Sequence, residues 1–134
     1  MKKSLIIEKK QDKIIPLQLL YIVDYVNENI DKHIKIEELS SMTSWGKTHF
    51  SRIFKLYYNT TIYQYILEKR IEYAKEMLIN SDIYISELHF KCGFESYSNF
   101  FTAFKKFTLM TPQSYRFFYR LNIPSIKKRQ YQIA

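Results

Sequence analysis

The sequence predicts an all-α fold, and three observations carry that reading. Only two glycines and three prolines occur in 134 residues, so turn and strand punctuation is scarce. Apolar residues recur at helical rather than alternating spacing. A block of about 50 residues also occurs twice in order, the mark of a helical unit used again.

Residues 1–16 are expected as an N-terminal tail ending at Pro16, a residue suited to a helix start. Leu19, Ile22, Val23, Val26 and Ile30 form one stripe, which predicts a first helix over about residues 17–29. A short second helix runs from Ile36 to Met42, with Ile36, Leu39 and Met42 spaced by three. A third, Lys47 to Tyr58, buries Phe50, Ile53, Phe54 and Tyr57. The longest helix runs from Thr61 to about Asn80 and turns Ile62, Tyr65, Ile66, Ile71, Ala74, Met77 and Leu78 inward. Thr60 or Thr61 is its cap, and Asn80-Ser81-Asp82 is its stop.

After that stop the pattern restarts. A shift of 49 places Ile36 on Ile85, Glu38 on Glu87, Leu39 on Leu88 and Trp45 on Phe94. A shift of 50 places Phe50 on Phe100, Phe54 on Phe104, Lys55 on Lys105, Thr61 on Thr111 and Tyr65 on Tyr115. The predicted organisation is therefore a tail (1–16), a first unit (17–60), a linker helix (61–80), a second unit (81–120) and a basic tail (121–134).

Net charge is +8, and its placement narrows the function. Residues 46–70 carry five basic against one acidic side chain, and residues 96–134 carry seven basic and no acidic ones. Between them, residues 71–95 carry two basic and five acidic side chains. Two separate basic blocks suit two contacts with a polyanion. The lone Cys92 excludes an internal disulfide, and no Cys/His spacing matches a zinc site, so neither metal nor cofactor is expected. No apolar run approaches the roughly 20 residues of a membrane span. The opening MKKSLIIEKKQDK is too briefly apolar for a signal peptide, so a cytoplasmic, nucleoid-associated location is expected. No nucleophile–His–acid set or phosphate-cradling glycine loop stands out, and the chain is not read as an enzyme.

A short helix, a tight turn and a second helix form a helix-turn-helix, whose second helix enters the DNA major groove. In the second copy the anchors are Ile85 and Leu88, then Cys92-Gly93-Phe94, then Phe100 and Phe104. Gly93 supplies the turn. A linker of about 20 residues spans roughly 30 Å of helix, near the roughly 34 Å between successive major grooves on one face. One chain is thus expected to place two recognition helices in adjacent grooves as a monomer.

The stretch GFESYSNFFTAFKKFTLMTPQSYR also resembles the C-terminal signature of AraC/XylS-type transcription regulators, approximately G-F-x-x-x-S-x-F-x-x-x-F-K-K-x-x-G-x-T-P-x-x-Y-R. Gly93, Phe94, Ser98, Phe100, Phe104, Lys105, Lys106, Thr111, Pro112, Tyr115 and Arg116 match it. Phe50, Arg52, Phe54, Lys55, Arg70 and Ala74 fit the upstream half, and the resemblance covers about residues 18–120. It implies seven helices, two helix-turn-helix subdomains, and binding to double-stranded promoter DNA that recruits RNA polymerase, as in an activator. Three residues depart from the pattern. His89 stands where the family has a close-packed alanine and is expected to point partly outward or spread the helices. Asn59 and Leu109 replace glycines after the two recognition helices, and leucine is costly in a left-handed turn, so that second turn is expected to rearrange. Thr102 replaces a frequent arginine, so the second unit is expected to read DNA less strongly.

On the first recognition helix the outward residues are Lys47, Thr48, Ser51, Arg52 and Lys55. Thr48, Ser51 and Arg52 share the base-reading face, with Arg52 suited to guanine O6 and N7. Lys47 and Lys55 suit phosphates, and His49 is read as a partly exposed helix residue. On the second helix Ser98, Asn99 and Thr102 face outward, with Asn99 able to pair with adenine. Tyr97 and Phe101 either touch a thymine methyl or cover a flank. Lys105 and Lys106 suit phosphates, whereas Arg116 either neutralises a phosphate or braces the last helix. The KKR at 127–129 adds non-specific attraction. The rival reading is a protein-interaction module of helix-turn-helix ancestry with weak DNA reading. Residues 1–16 are too short for an effector pocket, which points either to a short stand-alone regulator or to a piece of a longer one.

Overall fold

The computed structural model describes residues 6–10 and 13–122. The fold is all-α in class. The described residues form seven helices, α1 (Leu17–Glu28), α2 (Ile36–Ser41), α3 (Lys47–Tyr58), α4 (Ile62–Asn80), α5 (Ile85–Lys91), α6 (Tyr97–Thr108) and α7 (Pro112–Leu121). Ahead of them β1 (Ile6–Lys10) and β2 (Lys13–Pro16) pair antiparallel, with Lys9 opposite Ile14, Glu8 opposite Ile15, and a register break between Ile6 and Glu8. The expected tail at 1–16 is thus partly a strand pair. Its physical reason is local alternation: Ile14 is half exposed while Ile15 is fully buried beside Leu19 and Ile22.

The chain divides between Ile66 and Leu67 into two compact units. The boundary falls inside α4, so that helix gives its first turn to one core and the remainder to the other. Ile62, Tyr65 and Ile66 join the first core, and Ile71, Ala74 and Leu78 join the second.

In the first unit, Leu19, Ile22 and Val26 of α1 pack on Leu39 of α2 and Phe50 and Phe54 of α3, all fully buried. The third ring of α3 in this core is Tyr58 rather than the expected Tyr57, which is only partly buried. Phe50, Phe54 and Tyr58 follow an i, i+4, i+8 row on one helix face, and Phe54 stacks on Tyr58 with ring centres 4.6 Å apart. Of the three apolar positions spaced along the second helix, Leu39 is buried and Ile36 half-buried, while Met42 follows the end of α2 and is exposed. The turn between α2 and α3 is fixed by hydrogen bonds. Trp45 N–H donates to Thr43 Oγ1 at 3.1 Å, and Ser44 N–H donates to Gln18 Oε1 at 2.7 Å.

The second unit repeats this construction. Leu88, Phe100 and Phe104 are fully buried with Phe94 and Tyr115. The contact of Phe54 on Tyr65 (5.4 Å, 72°) recurs as Phe104 on Tyr115 (5.3 Å, 89°). Thr61 Oγ1 accepts from Gln64 N–H at 3.0 Å, and Thr111 Oγ1 accepts from Ser114 N–H at 3.1 Å. Each threonine satisfies an orphan donor at a helix start. Gly93 has φ 86 in the α5–α6 turn, where Phe94 N–H donates to His89 O at 2.9 Å.

The turn at Leu109 is not rearranged. Leu109 adopts φ 63 and ψ 18, nearly matching Asn59 at φ 59 and ψ 22. Its N–H donates to Lys105 O at 2.8 Å, as Asn59 N–H does to Lys55 O at 2.9 Å. Hydrogen bonding and the burial of Phe104 and Tyr115 on either side hold the left-handed geometry against the Cβ penalty.

Candidate nucleic-acid interface

α3 buries Phe50 and Phe54, which leaves its opposite face for solvent. Lys47, Thr48, Arg52 and Lys55 are exposed there, and Ser51 is half-buried. The side chains of Arg52 and Lys55 carry no hydrogen-bond or ion-pair partner among the described residues. Lys47 differs: its Nζ lies 2.8 Å from Glu37 Oε2 on α2. The hydrogen bond from Lys47 holds the Glu37 carboxyl below the usual carboxylate range. The pair is exposed and therefore weak, so a phosphate can compete for Lys47. His49 is exposed and sits edge-on to Trp45 at 6.0 Å.

α6 is built alike, with Phe100 and Phe104 inward. Ser96 Oγ accepts from Asn99 N–H at 3.0 Å and caps the helix. Ser98, Asn99 and Thr102 are exposed on the outer face, and Lys105 and Lys106 are exposed in the last turn. There they also complement the negative end of the helix dipole. His89, expected to point outward or spread the helices, is half-buried. Its ring lies parallel to Phe90 at 5.7 Å, while its Nδ1 is buried with no hydrogen-bond partner among the described residues.

The structure departs from the phosphate role at Arg116. Arg116 Nε donates to Leu78 O at 2.9 Å, and its Nη2 donates to Ser81 O at 3.1 Å. Burial and neighbouring Arg120 push the guanidinium below its ordinary value. Sequence reasoning missed Arg120 altogether. Its Nε donates to Ile79 O at 3.3 Å, its Nη2 bonds Ser81 O, and its Nη1 lies 3.1 Å from Asp82 Oδ1. Two arginines one turn apart on α7 thus satisfy the last carbonyls around the end of α4. The available signal was the i, i+4 arginine pair set against the Asn80-Ser81-Asp82 stop. The KKR at 127–129 lies outside the described residues.

Among the described residues, no helix is long and apolar enough to cross a membrane. The two outward faces carry hydroxyls and cations beside a buried aromatic row, joined on α6 by the Asn99 amide, and have the chemistry to meet base edges and phosphates.

A helix-turn-helix domain family model matches residues 39–117. A probable transcriptional regulator, LumQ of Photobacterium leiognathi, is 34% identical over 121 residues, covering 89% of this chain. The chain spans 48% of that relative's length. The C-terminal domain of the two-component response regulator yesN from Fusobacterium nucleatum superposes with a TM-score of 0.69 at 28% identity, over 73% of this chain and 96% of that one. The DNA-binding domain of AdpA, solved with a target DNA, shares the fold with a TM-score of 0.76 at 24% identity, over 81% of this chain and 97% of that one. A DNA-binding regulator family accords with the reading that the chain is not an enzyme. With the duplicated helix-turn-helix unit and the family match over both copies, the chain belongs to the AraC-type helix-turn-helix family of DNA-binding transcription regulators.

Proposed function

We propose that the chain is a sequence-specific reader of double-stranded promoter DNA that places α3 and α6 in successive major grooves as a monomer. Thr48, Ser51 and Arg52 read bases from α3, and Ser98, Asn99 and Thr102 read them from α6. Lys55, Lys105 and Lys106 neutralise phosphates, and Lys47 joins them by exchanging Glu37 for a phosphate. The observation that carries this reading is Arg52: an exposed guanidinium, unpartnered among the described residues, one helical turn from Thr48 on a helix with no acidic side chain. Arg116 belongs to the α7–α4 brace and is not assigned to DNA. Binding in the cytoplasm at the nucleoid, the regulator acts as an activator that recruits RNA polymerase.

Selection from a random duplex pool tests the reading. Enrichment of one motif is expected, spanning half-sites about one helical turn apart. Arg52→Ala then weakens the selected site by roughly 5- to 150-fold, the loss of one bidentate base contact, with a far smaller effect on random DNA. Enrichment of no motif favours the protein-interaction module instead. Transcription with purified polymerase tests the activator role: added protein raises output from a promoter carrying the selected site.

A further inference from the structure

The two recognition helices are alike in their buried rows and unlike in what they present. Over its first two turns α3 carries Lys47 and Arg52, whereas the equivalent positions of α6 are Tyr97 and Thr102. From Tyr97 to Phe104, α6 contains no charged residue. In place of the lysine stands an aromatic ring that is 38% exposed. Other rings hold it in position. Tyr97 meets His89 edge-on at 6.2 Å, Phe100 at 6.3 Å and Phe101 at 5.9 Å. His89 in turn lies parallel to the exposed Phe90. An aromatic shelf therefore flanks the start of α6, beside the row of Ser98 and Thr102.

Among the four bases only thymine shows an apolar group in the major groove, its C5-methyl. Guanine shows two acceptors there, which suit a cation. We infer that the second unit reads 5-methylpyrimidines: Tyr97 packs on thymine methyls while Asn99 pairs with adenine, so the operator divides into a guanine-bearing half under α3 and an A·T half under α6. This rests on the proposed groove insertion of α6. It also changes the meaning of Thr102. The missing arginine marks a unit that reads a different base, rather than one that reads less.

The test replaces thymines of the selected duplex one at a time with deoxyuridine, which deletes the methyl and keeps every hydrogen bond. Fluorescence anisotropy then measures affinity for the intact protein, Tyr97→Ala and Tyr97→Phe, with thermal melts confirming that each variant folds. One or two thymines in the half under α6 are expected to cost about fourfold each, the transfer value of one buried methyl. The penalty disappears in Tyr97→Ala and survives in Tyr97→Phe. Uracil tolerated throughout, or an unchanged penalty in Tyr97→Ala, overturns the inference and leaves groove binding intact. A pool that enriches no duplex overturns both.

Discussion

Leu109→Gly is expected to stabilise the second unit. Leu109 holds φ 63 with its side chain 84% exposed, so the leucine sits in left-handed backbone and buries little in return. A non-glycine residue in that conformation costs roughly 1–2 kcal/mol. Glycine removes this cost but adds unfolded-state freedom worth about 0.4–1 kcal/mol. The balance of the mid-range values is a gain of about 0.8 kcal/mol, and for a cooperative unit of this size a Tm rise of roughly 3–6 °C. The repeat supplies an internal control. Asn59 occupies the same geometry in the first unit, and asparagine tolerates it better, so Asn59→Gly gains less than Leu109→Gly. Differential scanning calorimetry with urea melts checks both. A loss of stability in Leu109→Gly, or a larger gain at Asn59, would refute the claim that the turn holds leucine under strain.

Other substitutions separate bracing from binding and test the added strand. Arg116→Ala removes two charge-assisted hydrogen bonds and is expected to destabilise the second unit by about 2 kcal/mol. It leaves the salt dependence of DNA affinity unchanged under folding conditions, whereas a phosphate contact would lower that slope by roughly 0.9. Ile15→Ala empties a fully buried site and should cost about 2–5 kcal/mol in urea melts, while a change within 0.5 kcal/mol would reduce the strand pair to an ornament. Burial pushes the Cys92 thiol up from an ordinary 9.0 to about 12. The folded state thus favours the neutral thiol. Its contribution to stability is fully present below pH 9 and is lost as pH rises toward 12. At pH 8 iodoacetamide is accordingly expected to modify native Cys92 at least 100-fold more slowly than the urea-unfolded chain, roughly as its thiolate fraction dictates.

Aromatic spacing made most of the helical frame legible in the sequence. Phe50 and Phe54, then Phe100 and Phe104, are i, i+4 pairs whose burial sets both recognition helices, so their outward residues followed by subtraction. Tyr57 and Tyr58 could not be separated this way, because they stand three and four residues after Phe54 and both steps return to the same side of a helix. The Ile15 strand was hidden because its alternation runs for only a few residues. Arg116 shows a different limit. Cationic chemistry is the same toward a phosphate and toward a helix-end carbonyl, and only the fold, by placing α7 against Leu78 and Ser81, decides which one it meets. Leu109 was misjudged because local propensity was weighed without the tertiary packing that overrides it.

The central claim is that the solvent faces of α3 and α6 read base sequence. Its most direct measurement is the affinity of the intact chain for its selected duplex and for a scrambled one, across a salt series, with and without Arg52→Ala. A steep fall of affinity with salt is expected on both duplexes, with a preference for the selected one and an Arg52→Ala loss concentrated on it. Equal affinity for both duplexes, or an equal Arg52→Ala loss on both, would contradict the claim.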